Sequence, residues 1–480
     1  MASTTKRHPA RMQARAACDA DGRLTAYDFV GDFDTSAYAS WGPTVADRVP
    51  IHSPGPYFVP NLQAQTRAVL TNMAPSGAFR GFGVPQCALL HEALMDRLAA
   101  ATGIDPLEFR HINALRKGDA ISTGYVLEAS AGQAECLAAL RERWAEWRAA
   151  ADTYNAGANG ALRHGVGIGS VWYGCGNTSI SNPSTMHVGI AMDGTVTLYS
   201  GAVDIGEGAN TVMVQIAADA LGIPASQFHY VMGDTDLTAD AGKTSGSRQT
   251  YVSGRAAQLA GEDLRAQVLR LTNASPDAAI EVAEGRITVR DGAGKHEVAL
   301  AALDADARGN VLTGEGWFDP PTTPLDENGQ GKPYGTFGFG AQIARVAVDM
   351  ELGTVKVLGV AAAHDVGRAI NTVQLEGQIH GGVAQGLGYA LMEEYIPGRT
   401  DNLHDYLIPT IGDLPPIEVI LVEDPEPTGP YGAKGIGEHS LIPTAPAILG
   451  AIEHATGARM EQLPATPERV LAAIGAARHD

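Results

Sequence analysis

The chain has 480 residues, of which 45% are hydrophobic and 18% charged, a balance that supports a large buried core and excludes an intrinsically disordered chain. Length alone allows about three ordinary domains. With 34 basic and 54 acidic side chains the net charge is −20, so the basic footprint of a nucleic-acid-binding surface is missing and no nucleic-acid partner is expected.

In chain order, the part to about residue 150 reads as short strands followed by helices. Val84 to Ala101 places Leu90, Leu94 and Leu98 at i, i+4 and i+8, with Pro85 near its start and Gly103 beyond its end, which predicts a helix. Asp105-Pro-Leu-Glu108 has the spacing of a capping box and predicts a second one. The polar stretch from Arg148 to His164 is the best candidate linker. Beyond Val166 one pattern occurs twice. Met186 to Ser200 reads as a hairpin turning at Asp193-Gly194, followed by the loop Gly206-Glu-Gly208 and a helix to Leu221. Ala341–Asp349 and Thr354–Ala363 then form a hairpin around Gly353 that leads to a helix from Val373 to Tyr395. Two hairpin-plus-helix units predict an α+β fold with an internal duplication. The last helix holds Gly377, Gly381, Gly382, Gly386 and Gly388. Glycine costs roughly 0.5–1 kcal/mol in a helix, so a ligand or another backbone is expected against it; a loose loop of helical character is the alternative.

The four cysteines, Cys18, Cys87, Cys136 and Cys175, are widely spaced and form no C-x-x-C pair, which favours buried thiols in a reducing compartment over a zinc or iron–sulfur site. The basic start is not followed by an apolar stretch, and no run approaches the ~18 residues of a membrane span, so the chain reads as cytoplasmic. There is no G-x-S-x-G elbow, H-E-x-x-H or P-loop, and TFGFG at 336–340 lacks the context of a dinucleotide fold. What remains is four glycine-flanked polar segments: GAFRGFG (77–83), DIGEG (204–208), TSGSRQT (244–250) and GAKGIGE (432–438). Each sets a polar side chain beside backbone N–H groups that can face an anion, which suits an extended, polyanionic cofactor.

These segments, with KRHP at 6–9, GDTDLTADAGKTSGSRQT, EGQIHGGVAQGLG and YGAKGIGEHSLIPTAPAI, resemble the C-terminal part of the molybdopterin-binding subunit of the xanthine dehydrogenase/aldehyde oxidase family. The resemblance runs almost end to end. It implies the α+β molybdopterin-binding fold, with residues 1–150 ending a first such domain and 165–480 forming a second. It also implies a molybdenum–pterin cofactor in its cytosine dinucleotide form. Glu438, last residue of the K-x-x-G-E motif, matches the catalytic glutamate; a carboxylate desolvated between Gly437 and an apolar helix starting near Leu441 is expected to have a raised pKa and act as general base. A helix-terminal carboxylate is the alternative. Arg80 and Gly246 match backbone neighbours of the metal, Ser247 and Gln378 match pterin contacts, and Phe82 matches a ring packed on the substrate. Arg48 falls where purine-oxidising relatives hold a substrate-orienting arginine, with a surface salt bridge as the alternative.

Some positions depart from the family pattern. Glu207 stands where relatives have a glutamine beside the pterin, so its carboxyl is expected either to be protonated or to turn away. Gly176 replaces a second substrate-sandwiching phenylalanine, with Tyr173 a candidate substitute, and GAFRGF lacks the cysteine of carbon monoxide dehydrogenases. The family's glutamine- and phenylalanine-bearing metal loop precedes KRHP, where this chain begins. The expectation is a split, nicotinate dehydrogenase-like enzyme: a second molybdopterin-subunit half, a 2Fe–2S subunit and an FAD subunit as partners, acting on a small N-heteroaromatic compound such as nicotinate or a purine. Aldehyde oxidation or hydroxybenzoyl thioester reduction by the same cofactor is the alternative, and a non-catalytic assembly half is a second.

Overall fold

The computed structural model describes residues 1–292 and 294–477. Strands β1 (Ala10–Cys18) and β2 (Leu24–Ser36), helix α1 (Gly42–His52) and strand β3 (Leu62–Leu70) open the chain, the sheet running β1-β2-β3 with β3 parallel to β2. Alternation along β2 turns Tyr27, Phe29 and Phe33 inward against Val45 and Val49 of α1 and Val84 and Cys87 of α2 (Val84–Thr102). The two helix-start expectations hold. Gly103, at φ 71°, donates its N–H to the Ala100 and Ala99 carbonyls at the end of α2, and the Asp105 carboxylate accepts from the N–H groups of Leu107 and Glu108 to begin α3 (Pro106–Asn113).

The expected linker is a helix over most of its length. Helix α4 (Gln133–Gly157) continues through it because Trp147 and Ala151 are buried, and residues 158–161 alone connect it to β4 (Leu162–Gly174). The Asn155 side chain closes this connection by pairing with both the N–H and the carbonyl of His164.

Then come β5 (Ser184–Ala191), β6 (Val196–Ser200), α5 (Ala209–Leu221), β7 (Phe228–Met232) and α6 (Gly254–Thr272), and a small antiparallel sheet of β8 (Ala279–Ala283), β9 (Arg286–Asp291) and β10 (Gly294–Ala299). The remainder is β11 (Asn310–Phe318), β12 (Phe337–Asp349), β13 (Val355–Asp365), α7 (Thr372–Leu391), β14 (Ile417–Val422), α8 (Thr444–Thr456) and α9 (Pro467–Ala477). Helix α7 stops four residues short of the expected Tyr395, where the Gly388 carbonyl takes the N–H groups of both Met392 and Glu393. Among the described residues no helix is long and apolar enough to cross a membrane.

The two larger sheets, β11-β5-β6-β7 and β4-β12-β13-β14, are built alike. Each contains an antiparallel hairpin, a crossover helix and a final strand parallel to the hairpin's second strand. The duplication expected from sequence is therefore present, with one addition. The fourth strand of each sheet comes from the other repeat: β4 precedes β5 in the chain but pairs with β12, and β11 precedes β12 but pairs with β5. Both exchanged strands use glycines to bring a helix backbone onto the sheet. A Cβ on Gly165 or Gly167 would collide with the backbone of Ala451 in α8, and one on Gly314 or Gly316 with Ala260 or Ala256 in α6. The cores on these faces are aliphatic: Val188, Ile190, Leu198, Ile216 and Leu264 in the first, Val346, Val360, Ile448 and Ile452 in the second. Fully burying such a side chain contributes roughly 1.5–3 kcal/mol.

Candidate active site

The loops that leave the parallel strand pairs of both repeats meet at one cavity of about 810 Å³. This is where open α/β arrangements collect ligands, beyond the carboxyl ends of their strands. Glu438, on the loop between β14 and α8, lies in the cavity wall. Its Oε1 accepts from the Gly246 N–H at 2.6 Å, and its Oε2 from the Gly81 N–H at 3.0 Å and from the Tyr173 hydroxyl. Its own N–H donates to Ser247 Oγ at 2.9 Å. Three of the four glycine segments thus converge on one carboxylate. The regular helix behind it, α8, begins at Thr444 rather than near Leu441, after a single turn at His439–Leu441.

The backbone holding these donors is conformationally demanding. Gly81, Phe82 and Gly83 have φ of 91°, 46° and 90°, and Gly246 and Ser247 have 64° and 56°. Side chains other than glycine rarely adopt such angles, so Phe82 and Ser247 store local strain at the cavity. Close approach explains another glycine: a Cβ on Gly435 would run into the Ser247 carbonyl.

Arg80 ties the loops together. Its Nε donates to the Gly437 carbonyl at 2.5 Å, and its terminal nitrogens reach Gln385 Oε1, the Gln378 carbonyl, Gln378 Oε1 and Ser440 Oγ at 3.0–3.2 Å. Its carbonyl is in turn held by Arg7 at 2.9 Å, whose guanidinium lies 4.4 Å from the Phe79 ring centroid and 5.0 Å from that of Tyr389. Lys434, buried, forms an ion pair with buried Asp365 at 2.5 Å and anchors the start of the Gly435–Glu438 turn. Arg248 is saturated by the carbonyls of Ala241, Asn182, Pro183 and Lys243 and by Asn182 Oδ1.

Arg48 is not a surface residue. It is 3% exposed, donates to the carbonyls of Gly174 and Gly176 at 3.3 and 2.7 Å, and lines the cavity with Phe82 and Tyr173. His52, one turn along α1, fixes this corner: its Nε2 accepts from the Gly174 N–H at 3.1 Å while Nδ1 donates to the Arg48 carbonyl at 3.0 Å. Burial, with Arg48 nearby, lowers the His52 pKa to about 3.

The DIGEG segment departs from expectation. Its N–H groups already face the chain's own carboxylates: Asp204 accepts from Gly206, Gly208 and Asn210, and Glu207 Oε2 from Ile205 at 2.7 Å. Burial raises the Glu207 carboxyl above its ordinary range, and Oε1 is buried without a hydrogen-bond partner among the described residues. Gln374 Oε1 and Gln249 Oε1, also on cavity-lining residues, lack partners in the same way. The glycines of α7 divide into two sets. Gly382 and Gly386 are pressed by Ser440 and Thr444, so another part of the chain explains them, whereas a Cβ on Gly377 would meet nothing.

The cavity is lined by six basic side chains, Arg48, Arg80, Lys243, Arg248, Arg368 and Lys434, and two acidic ones, Glu207 and Glu438. In a chain of net charge −20 this concentrates positive potential at one place and favours an anionic ligand. Among the described residues no three His, Cys, Asp or Glu side chains converge as a metal site.

All eight site residues singled out from sequence line this cavity: Arg48, Arg80, Phe82, Glu207, Gly246, Ser247, Gln378 and Glu438. Sequence reasoning noticed Tyr173 as a substitute ring but not as a donor to Glu438, and gave Lys434, Arg248, His52 and Arg7 no role. Lys434 and Arg248 were within reach, since both lie inside motifs already set apart.

Models of the molybdopterin cofactor-binding domain match residues 1–114 and 138–415. The chain is 32% identical to a putative xanthine dehydrogenase molybdenum-binding subunit of Escherichia coli, over 98% of its own length and 62% of that protein. Its fold superposes on aldehyde oxidoreductase from Desulfovibrio gigas with a TM-score of 0.87 at 31% identity, covering 98% of this chain and 50% of that one. For quinoline 2-oxidoreductase from Pseudomonas putida the TM-score is 0.82 at 27% identity, covering 98% and 63%. The chain thus spans between half and just under two thirds of the length of these relatives.

Proposed function

Because the chain belongs to the xanthine dehydrogenase/aldehyde oxidase family of molybdopterin-binding subunits, we propose that it is the cofactor-binding, catalytic part of a molybdenum hydroxylase acting on a small N-heteroaromatic compound. In this reading residues 1–150 end a first molybdopterin-binding domain and 165–480 form a second. A further molybdopterin-subunit half, a 2Fe–2S subunit and an FAD subunit complete a multi-subunit, cytoplasmic enzyme. The observation that carries the reading is the Glu438 carboxylate, held at the wall of a basic cavity by N–H groups of two glycine loops and facing the same space as Arg48 and Phe82.

The residues suit a molybdenum–pterin group, in the proposal its cytosine dinucleotide form. The unpartnered acceptors of Glu207, Gln249 and Gln374 match the amino and ring N–H donors of a pterin, and the basic lining matches its phosphates. The backbone at Arg80 and Gly246 would hold the group at its metal end, and Ser247, Gln378 and Glu207 would hold its pterin. When bound, that group supplies the two-electron oxidation of a C–H carbon next to nitrogen, and the electrons leave through it. The chain supplies position and a proton acceptor. Glu438 takes, on a carboxylate oxygen, the proton released as oxygen is delivered to the substrate carbon. Phe82 covers the substrate ring, and Arg48 sets its orientation. Aldehyde oxidation is the second reading, favoured by the likeness to aldehyde oxidoreductase. An idle assembly half is disfavoured, because four hydrogen bonds fix Glu438 beside the cavity.

The test is Glu438→Gln in the purified complex. Loss of a general base lowers turnover by about 10²–10⁴-fold, with molybdenum and pterin content unchanged. Wild-type turnover in the variant removes the base assignment.

A further inference from the structure

We propose that Arg7 is a positioning residue for the proton acceptor: through the single peptide group joining Arg80 to Gly81, its guanidinium orients and strengthens the N–H that holds the Glu438 carboxylate. The catalytic meaning of this contact rests on the functional reading above, to which it adds a residue outside the cavity lining.

Arg7 donates from a terminal nitrogen to the Arg80 carbonyl at 2.9 Å, and the Gly81 N–H donates to Glu438 Oε2 at 3.0 Å. That carbonyl and that N–H are the two ends of one planar amide, whose dipole is about 3.5 D. A cation at the oxygen draws electron density away from the nitrogen, so the N–H becomes a better donor to an anion. The other amide donor to Glu438 lacks this support. The Gly246 N–H meets Oε1 at 2.6 Å, but the Ser245 carbonyl behind it takes a neutral backbone N–H, that of Arg248 at 3.3 Å. Arg80 is also set on a carbonyl, that of Gly437, yet the N–H of the same amide goes to the neutral Ser247 hydroxyl. Among the described residues, the Arg80–Gly81 peptide alone joins a guanidinium to the carboxylate.

The chain fixes Arg7 in place and leaves its charge uncancelled. Backbone pairing ties Lys6 to Pro75 and Gly77 at 3.1 and 3.0 Å, and His8 is held by the Asp34 carbonyl at 2.8 Å and by Gln86 at 3.0 Å. Between these anchors the guanidinium packs on the Phe79 and Tyr389 rings, 4.4 and 5.0 Å from their centroids. Rings of this kind position a cation without neutralising it. Arg110, by contrast, meets Glu92 and Asp96 at 2.8 and 2.7 Å, whereas no carboxylate lies within ion-pair distance of Arg7 among the described residues. The titratable groups facing Arg7 are Tyr389, Glu393, Tyr406 and Glu438 itself, and Glu393 accepts from the Tyr406 hydroxyl at 2.9 Å. Those facing Glu438 are Arg7, Arg48, Arg80, Tyr173 and Tyr334. Arg48 and Arg80 act on the carboxylate across space. Arg7 acts in addition through a bonded donor, so loss of its charge weakens both the field and the hydrogen bond that favour the ionised form.

The test titrates Glu438 in the intact complex, without substrate, by infrared difference spectroscopy, with the carboxyl band absent from Glu438→Gln as its signature. Arg7→Gln keeps a neutral donor and removes the cation, so the carboxylate is less stabilised. Its titration is expected about half a unit to one unit higher in pH than in the wild type, and the acidic limb of kcat moves with it. Arg7→Lys keeps the charge and returns the titration to the wild-type position. Molybdenum and pterin content stay at the wild-type level in both; a merely structural role would change stability or cofactor content and leave the titration where it was. An unshifted titration in Arg7→Gln overturns the inference, as does a shift of the same size in Arg7→Lys. If Arg7→Gln fails to assemble, Glu393→Gln decides alone: it removes the acid facing Arg7, so Glu438 titrates at lower pH, and an unchanged titration overturns the inference. Full turnover in Glu438→Gln, or a wild-type complex without molybdenum and pterin, instead overturns the functional reading, while the titration still reports whether Arg7 reaches Glu438.

Discussion

The hydroxyl of Tyr173, near the end of strand β4, donates to Oε2 of Glu438 on the loop before α8, and its ring lies against the guanidinium of Arg48. One tyrosine therefore links the proposed proton acceptor to the proposed substrate anchor. Tyr173→Phe keeps the ring and removes the donor. A hydrogen bond to a charged group is worth about 1.5–3 kcal/mol, so turnover is expected to fall about tenfold to a hundredfold while ligand binding persists. Steady-state kinetics of the complex, with ligand binding measured separately, check this; unchanged turnover means the hydroxyl is incidental.

Gly246→Ala probes the cradle itself. A Cβ there lies 2.9 Å from the Gly176 carbonyl, at a φ of 64° that alanine disfavours. The loop must shift, and with it the N–H that meets Glu438. The expected outcome is a complex with reduced molybdenum and pterin content, read by metal analysis and pterin fluorescence. Full occupancy in the variant separates this loop from cofactor retention.

Lys434 and Asp365 form a buried ion pair beneath the Glu438 turn. Removing one partner leaves a buried charge and costs about 3–5 kcal/mol. Lys434→Met is expected to lower the urea midpoint markedly. Lys434→Met with Asp365→Asn should recover a large part of the loss, because the amide keeps an oxygen for the Gly367 N–H at 2.9 Å without a charge. A double variant no better than the single one shows that the pair acts through something other than charge.

Acid should unfold this protein early. Burial holds His52, His91 and His364 at a pKa of about 3, from an ordinary value of 6.5. A histidine with a depressed folded-state pKa is protonated preferentially in the unfolded chain. Its stabilising contribution is complete above about pH 6.5 and is lost as pH falls towards 3, at roughly 1.4 kcal/mol per unit for each group. Denaturant midpoints should therefore drop steeply between pH 7 and pH 5. His52→Gln should reduce that slope by about one proton, which unfolding curves at several pH values measure directly.

Much of this was legible in the sequence because it is local. The capped helices beginning at Val84 and Pro106, the two hairpins and the glycine loops are set by spacing within a few residues. Glu438 was legible because its motif is contiguous. What could not be read is long-range. Nothing near Tyr173 in sequence indicates that its hydroxyl reaches a carboxylate 265 positions away. The stretch 148–164 looked like a linker because its composition is polar, while the apolar residues that keep it helical, Trp147 and Ala151, fall at its edge and inside it. The DIGEG loop looked open to an anion because sequence does not show where Asp204 turns. Arg48 looked equally at home on the surface, since burial of a lone arginine leaves no periodic trace.

The exchange of β4 and β11 between the two sheets bears on how the site keeps its shape. Gly246 and Glu438 belong to different repeats, and two such halves would ordinarily be free to rock against each other. Here each half is stitched into its neighbour by a full ladder of strand pairing, so there is no plane along which they can part. The separation between the donor backbone and the carboxylate is thereby set by the sheets themselves, and opening the cavity from within this chain would mean tearing a strand out rather than swinging a hinge.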